Sequence, residues 1–439
     1  MKRLIQIALA LAAVLLPTTG LSAQSENNVN LTNHLKPYGF FRAAAIFDSR
    51  DSKAGPEDLF YFLPLDKAIN LNGMDVNYNP SFKMSAVTTR LGLDVSGFQY
   101  GNFSVTGKLE ADFYLMVGST ASLRLREAYA KLAWDKVGYN FATYSLKVGQ
   151  AWHPMSADQP YCINVETGSP FNPFNWSPQI LVGADYGKWS LSAGVIYPMQ
   201  FLPTGPSGPS EGYVKYGLIP EIYAGVSYEE DGFLARVGAD FLSLKPRWRT
   251  ASILADTYDV GTKTEDRISM VSPMAYLQYT SGAFKINAKS VLAQGGDHLR
   301  LMGGYVLSDA SDPLHYEYVP LLTSSSFVSF SYGRKFQVMC MAGYMRALGT
   351  NHMLDLGEAG YLDPDDIFYF SDGFKNISQM FRATPTLAYN FGKLTFGVEY
   401  DCTGVEYGDI DALNNHALAI KDLHMILNHR VMGVLKYNF

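Results

Sequence analysis

Arg124 and Arg126 stand two residues apart in a stretch where apolar and polar residues alternate. In an extended chain that spacing puts both guanidiniums on one face. Each offers a planar fork of donors that matches the two oxygens of a carboxylate or phosphate. Arg42, Arg90, Lys108, Lys147, Arg236, Arg382 and Arg430 occupy the polar phase of comparable stretches. Gathered on one concave wall, these nine cations would concentrate anions and repel cations. The same stretches carry Asp94, Glu110, Asp112 and Glu399, which could instead neutralise them across strands.

Other chemistry is sparse. The 8 His residues show no metal-ligand spacing, and Ser326 and Ser329 lie in an alternating run without a nucleophile elbow. Cys162, Cys340 and Cys402 form no Cys-x-x-Cys pair, so they read as isolated small apolar residues. Segment 347–379 is acidic, with Asp355, Glu358, Asp363, Asp365, Asp366 and Asp372 against Lys375. Its Asp363-Pro364-Asp365-Asp366 run could offer oxygens to Ca²⁺, but it lacks the EF-hand pattern and reads as a solvated loop. No catalytic set, metal centre, cofactor or nucleic-acid surface is expected.

The elements that must position the cations are strands. Alternation predicts sixteen, near 37–48, 86–98, 102–115, 122–135, 139–150, 179–187, 188–198, 220–230, 232–243, 269–281, 283–293, 325–333, 335–346, 380–391, 393–404 and 425–439. Every second connection is short and holds Gly or Asp, as at Gly187-Lys188 and Glu230–Gly232, while the intervening ones are long. Short turns alternating with long loops and an even strand count describe a transmembrane antiparallel β-barrel. The last strand agrees: Val431, Gly433, Leu435, Tyr437 and Phe439 share one face. An apolar face ending in aromatics suits lipid, and the terminal Phe439 resembles the signal read by the outer-membrane barrel-assembly machinery.

Composition fits, with 14% aromatic residues, 39 Gly and a formal charge of −6. Met1-Lys2-Arg3, the apolar run Leu4 to Leu16 and Leu21-Ser22-Ala23 form a signal peptide over residues 1–23. Residues 24–35 read as a short periplasmic segment, and 36–439 as the barrel.

Period two assigns faces. Leu91, Leu93, Leu109, Phe113, Leu387, Phe396 and Val398 face lipid, while Arg90, Lys108, Glu110, Arg382 and Glu399 face inward. Glu127 falls on the lipid face by this count, which requires a bulge or a subunit contact. The third long loop, Ala151 to Pro178, is rich in Trp, Phe and Pro and should be compact. Folded inward, it would set Asp158 and Glu166 against the cationic wall; packed on its rim, it would not.

Five ordered motifs carry a family likeness: Lys36-Pro37-Tyr38-Gly39-Phe40-Phe41-Arg42, Thr89-Arg90-Leu91-Gly92, Gly107-Lys108-Leu109-Glu110-Ala111-Asp112-Phe113, Arg124-Leu125-Arg126-Glu127-Ala128-Tyr129 and Leu146-Lys147-Val148-Gly149-Gln150-Ala151-Trp152. This run resembles the DcaP-like porins. The resemblance implies a trimeric sixteen-stranded porin of the Gram-negative outer membrane, with Arg42, Arg90, Lys108, Arg124 and Arg126 as lumen groups and small anionic solutes such as dicarboxylates. Segment 24–35 is too short for the coiled-coil extension of some relatives, so a homotrimer would rest on wall packing alone. The expected function is passive diffusion of small anions. A loop-based surface receptor or adhesin with a closed lumen is the alternative, with a barrel hydrolase behind it.

Overall fold

The computed structural model describes residues 34–53, 63–115, 121–137, 141–250, 261–312, 314–354, 368–370, 376–410 and 416–439. The expected signal peptide, most of segment 24–35 and the acidic positions 355–366 and 372 lie outside these residues.

Sixteen staves close one antiparallel barrel. In chain order they are β1 (Leu35–Asp48), β2 in two pieces (Ser81–Ser85 and Arg90–Tyr100), β3 (Phe103–Leu115), β4 (Ala121–Val137), β5 (Ala142–Trp152), β6 (Trp176–Tyr186), β7 (Trp189–Ile196) and β8 (Glu221–Glu230). The second half comprises β9 (Phe233–Leu244), β10 (Ile268–Ser281), β11 (Phe284–Gln294), β12 (Leu322–Gly333), β13 (Phe336–Gly349), β14 (Ile377–Phe391), β15 (Leu394–Ile410) and β16 (Ala419–Asn438). Strands adjacent in sequence pair in space, and β1 pairs with β16 from Phe40↔Asn438 to Asp48↔Arg430. Closure removes the exposed edges that an open sheet would present.

The turns explain the hairpins. Gly101, Gly187, Gly232, Gly282 and Gly392 have positive φ, which glycine adopts at no steric cost, and Asp231 joins Gly232 in that region. Beside these turns the outer wall exposes Tyr100, Tyr186, Trp189, Phe233, Phe284 and Phe391. That ring is an aromatic girdle at the periplasmic end. The outer wall above it is apolar, and β16 shows Val431, Leu435, Tyr437 and Phe439 outward with Met432 and Val434 buried inside.

Three local departures matter. β1 begins at Leu35, so the N-terminal segment yields its last residue to the barrel. β2 is interrupted at 86–89, where both pieces pair with β1; Arg42 spans the break, its backbone N–H donating to Thr89 Oγ1 (3.2 Å) and its Nη1 to Thr88 Oγ1 (2.7 Å). Finally, β3 pairs Glu110 with Glu127 and then Ala111 with Leu125, leaving Arg126 as the extra residue of a bulge. The bulge turns Arg126 and Glu127 inward together. Glu127 is therefore buried at 6% exposure rather than lipid-facing.

Several long loops build a cap at the opposite end. Gly304–Asp312, His315–Pro320 and Phe368–Phe370 form a small sheet. Tyr305, Val306 and Leu307 of that sheet share an apolar core with Tyr213 and Val214, which lie on a single helical turn at Gly212–Lys215.

Candidate functional site

The connection 153–175 between β5 and β6 folds into the barrel. Its backbone is held by inward side chains from the far wall. Glu399 of β15 accepts the Ile163 N–H and the Thr167 hydroxyl, both at 2.8 Å. Arg382 of β14 donates through Nη1 to the Thr167 and Ser169 carbonyls at 2.7 and 2.9 Å. Lys289 of β11 donates to the carbonyls of Met155 (2.8 Å) and Asp158 (2.7 Å), and Ser329 of β12 accepts the Tyr161 N–H.

Apolar packing fixes the same seat. Phe171 and Phe174 are fully buried against Met341, Met345, Met380 and Met432, inward residues of β13, β14 and β16. Two inner-wall glycines make room: a Cβ at Gly343 would lie 2.3 Å from the Phe171 ring, and one at Gly397 1.6 Å from Ile163 Cδ1. One side of the lumen is thus filled by the loop.

The expected cationic wall divides accordingly. Arg42, Arg126, Arg382 and Arg430 are buried at 7, 0, 1 and 1% exposure. Arg430 forks onto Asp48 with both bonds at 2.8 Å. Arg124 forks onto Asp112 (2.9 and 2.8 Å), and Arg126 bridges Glu110 (3.0 Å) and Asp112 (2.8 Å). The Arg126 guanidinium also lies over the Trp176 ring, 4.1 Å from its centroid. Arg90 meets Glu110 at 3.2 Å. Glu166 is buried in the loop. Neutralisation by Glu110 and Asp112, the alternative weighed from sequence, thus applies to Arg90, Arg124 and Arg126.

Lys108, Lys147 and Arg236 lie elsewhere. They border a cavity of about 550 Å³ enclosed by β3 to β9 and the near side of the loop, with Trp152, Pro154 and Tyr223 on its walls. Lys108 pairs with Glu127 (3.3 Å) and Arg236 with Asp158 of the loop. Lys131, which sequence reasoning passed over, completes the basic lining. It stands directly opposite Lys147 in the β4–β5 ladder, and neither lysine has a salt bridge among the described residues. Asp185 and Glu229 are the remaining acids of the lining. The bulge conceals Lys131 from a simple alternation count. Cys162, Cys340 and Cys402 are free thiols, as their isolation in sequence implies.

No family model and no curated protein matches the chain. Among solved structures, the outer membrane channel DcaP of Acinetobacter baumannii superposes with a TM-score of 0.62 at 17% identity, covering 92% of this chain and 97% of that one. A loop-deletion form of the outer membrane protein OmpT of Vibrio cholerae matches at 12% identity and TM-score 0.49, covering 92% and 99%. An anion-selective porin from Comamonas acidovorans gives 11% identity and TM-score 0.49 over the same shares. The likeness to DcaP is one of fold, and at that level the resemblance read from the five motifs holds. A closed barrel with a lipid-compatible wall and an aromatic girdle has the architecture of an outer-membrane-type β-barrel.

Proposed function

We propose that the protein is a passive porin that carries small anions, with dicarboxylates the preferred class, along the basic side of its lumen. The observation that carries this reading is the Lys131–Lys147 pair. Like charges directly opposite in adjacent strands repel and weaken the sheet. A negatively charged solute in the adjoining cavity would relieve that repulsion, and a dicarboxylate could meet both ammonium groups. Arg236 and Lys108 flank the same path but have carboxylate partners, so they would tune the field rather than supply net charge. The neutralised arginines support the walls and the loop. No chemical step or energy source is invoked: solutes would move down their gradients, and association into a homotrimer would set three such paths side by side.

The test is current through the purified protein in a planar bilayer, with succinate added to one chamber. Brief succinate-dependent interruptions that weaken in Lys131→Gln and Lys147→Gln support the proposal. Steady current indifferent to succinate in all three proteins would remove the dicarboxylate assignment. Absence of current from folded protein would favour a surface receptor with a closed lumen.

A further inference from the structure

His153, Glu221, Asp240 and His298 converge where the lumen loop, β8, β9 and the connection 295–321 meet. All four are at most 1% exposed. Glu221 Oε1 lies 2.7 Å from His153 Nε2 and 3.2 Å from His298 Nε2. The Asp240 carboxylate lies 3.9 Å from His153 Nε2 and 3.8 Å from His298 Nε2. One ligand atom each from His153, Glu221 and Asp240 falls within a mutual 4.8 Å.

The cluster is incomplete as a set of hydrogen bonds. Glu221 Oε2, Asp240 Oδ1 and His298 Nδ1 are buried without a partner among the described residues. Buried polar atoms are rarely left so, because each forfeits its hydration without return. Two carboxylates side by side in a buried site also resist joint ionisation, so a shared proton, an imidazolium or a metal cation must offset them.

We propose that His153, Glu221 and Asp240, already grouped at ligand distance, form a site for a divalent transition metal of the Zn²⁺ class, with His298 closing in as the fourth donor. Two imidazoles and two carboxylates are the donors such an ion prefers. With bonds of roughly 2.0–2.1 Å, a tetrahedral site has ligand–ligand edges of about 3.3 Å. The four nitrogen–oxygen separations, from 2.7 to 3.9 Å, lie on either side of that value, but Asp240 faces His153 with Oδ1 and His298 with Oδ2, so its carboxylate must turn to present one oxygen to the ion. His298 Nδ1 lies 4.0 Å from Asp297 Oδ1, beyond hydrogen-bond reach, so metal loading must draw the two together before the ring can donate its second proton there. His153 Nδ1 accepts the Met155 N–H at 3.1 Å. A metal on Nε2 would put the ring proton on Nδ1, so loading must open this contact and shift the start of the lumen loop. The ion would clamp that loop and the 295–321 connection to the wall.

The experiment uses full-length protein folded in detergent, stripped with EDTA and titrated with Co²⁺ and then Zn²⁺ near neutral pH. One equivalent of Co²⁺ with the visible absorption of a tetrahedral nitrogen–oxygen site, displaced by Zn²⁺, is expected. Glu221→Gln and His298→Gln should each weaken binding at least tenfold while retaining the heat-modifiable gel migration of a folded barrel. A folded wild type with no saturable binding would mean that a proton alone fills the site, and would overturn the proposal. Full binding retained in a folded His298→Gln variant would overturn it equally. If neither variant folds, the wild-type titration still decides.

Discussion

Arg382→Met isolates the seat of the lumen loop. Met keeps an unbranched apolar stem but removes the charge and the donors. In the wild type, Nη1 donates to the Thr167 and Ser169 carbonyls, and Nε donates to Thr403 Oγ1 at 2.9 Å. Hydrogen bonds to a charged group contribute roughly 1.5–3 kcal/mol each, and carbonyls left buried without donors add a desolvation cost. Loss of the two loop-directed bonds therefore weakens seating by at least about 3 kcal/mol. At about 1.4 kcal/mol per tenfold, the ratio of displaced to seated loop rises at least about 100-fold. Two readouts follow. Mean single-channel conductance should increase, with new long-lived large openings. Cys162, whose thiol is pushed well up by burial and next by the Glu399 and Asp401 charges, should react faster with a water-soluble thiol reagent. Peptide mapping separates it from Cys340 and Cys402, which alternate with the inward residues Met341 and Asp401 and so face outward. A folded variant with unchanged conductance and unchanged Cys162 reactivity would refute the claim that Arg382 holds the loop.

Three further expectations follow. Gly343→Val drives a branched side chain into the Phe171 ring, and overpacking of this kind typically costs about 1–3 kcal/mol, so it should lower thermal stability, measured by gel-shift melting, and raise Cys162 reactivity without any change of charge. Asp75 is held below the usual carboxylate range, first by its hydrogen bond to Arg50 and then by the Ala68 and Asn77 N–H groups. Its contribution is present above the unfolded carboxylate pKa and is lost as pH falls through the lower folded value; loop 65–78 should become protease-sensitive only in that acid range, whereas Asp75→Asn should be sensitive already at neutral pH. Glu127→Gln, which removes the nearer of the two carboxylates beside Lys108 and leaves Glu110 at 3.9 Å, should increase anion preference in reversal-potential measurements; an unchanged value would place Lys108 outside the ion path.

The barrel was legible because its two signals are local. Period two comes from the strand itself, and the turn glycines declare its ends, so strand count, parity and the faces of β14 to β16 follow from the sequence alone. The interruption of β2 was not legible, since Ser81–Ser85 alternates as a strand yet is cut off by Ala86 to Thr89. The bulge at Arg126 was hidden for a related reason: one extra residue reverses the phase, carrying Glu127 and Lys131 inward. Arg124 with Asp112 was within reach, because the two lie equidistant from the β3–β4 connection as antiparallel partners must; Arg126 reaches Glu110 from the bulge, where Glu110 pairs with Glu127. The entry of loop 153–175 was suggested by its aromatic and proline content, but its direction depends on Gly343, Gly397, Lys289, Arg382 and Glu399, which lie on strands far away in sequence. His153, Glu221 and His298 are likewise distant in sequence, and no spacing rule joins them.

Reversal potential in a tenfold KCl gradient, measured side by side for the wild type and for Lys131→Gln/Lys147→Gln, tests the channel assignment most directly. The expected result is anion-selective current in the wild type and a shift toward cations in the double variant. A folded wild type that passes no ions, or one whose selectivity is cationic and indifferent to both lysines, would contradict it.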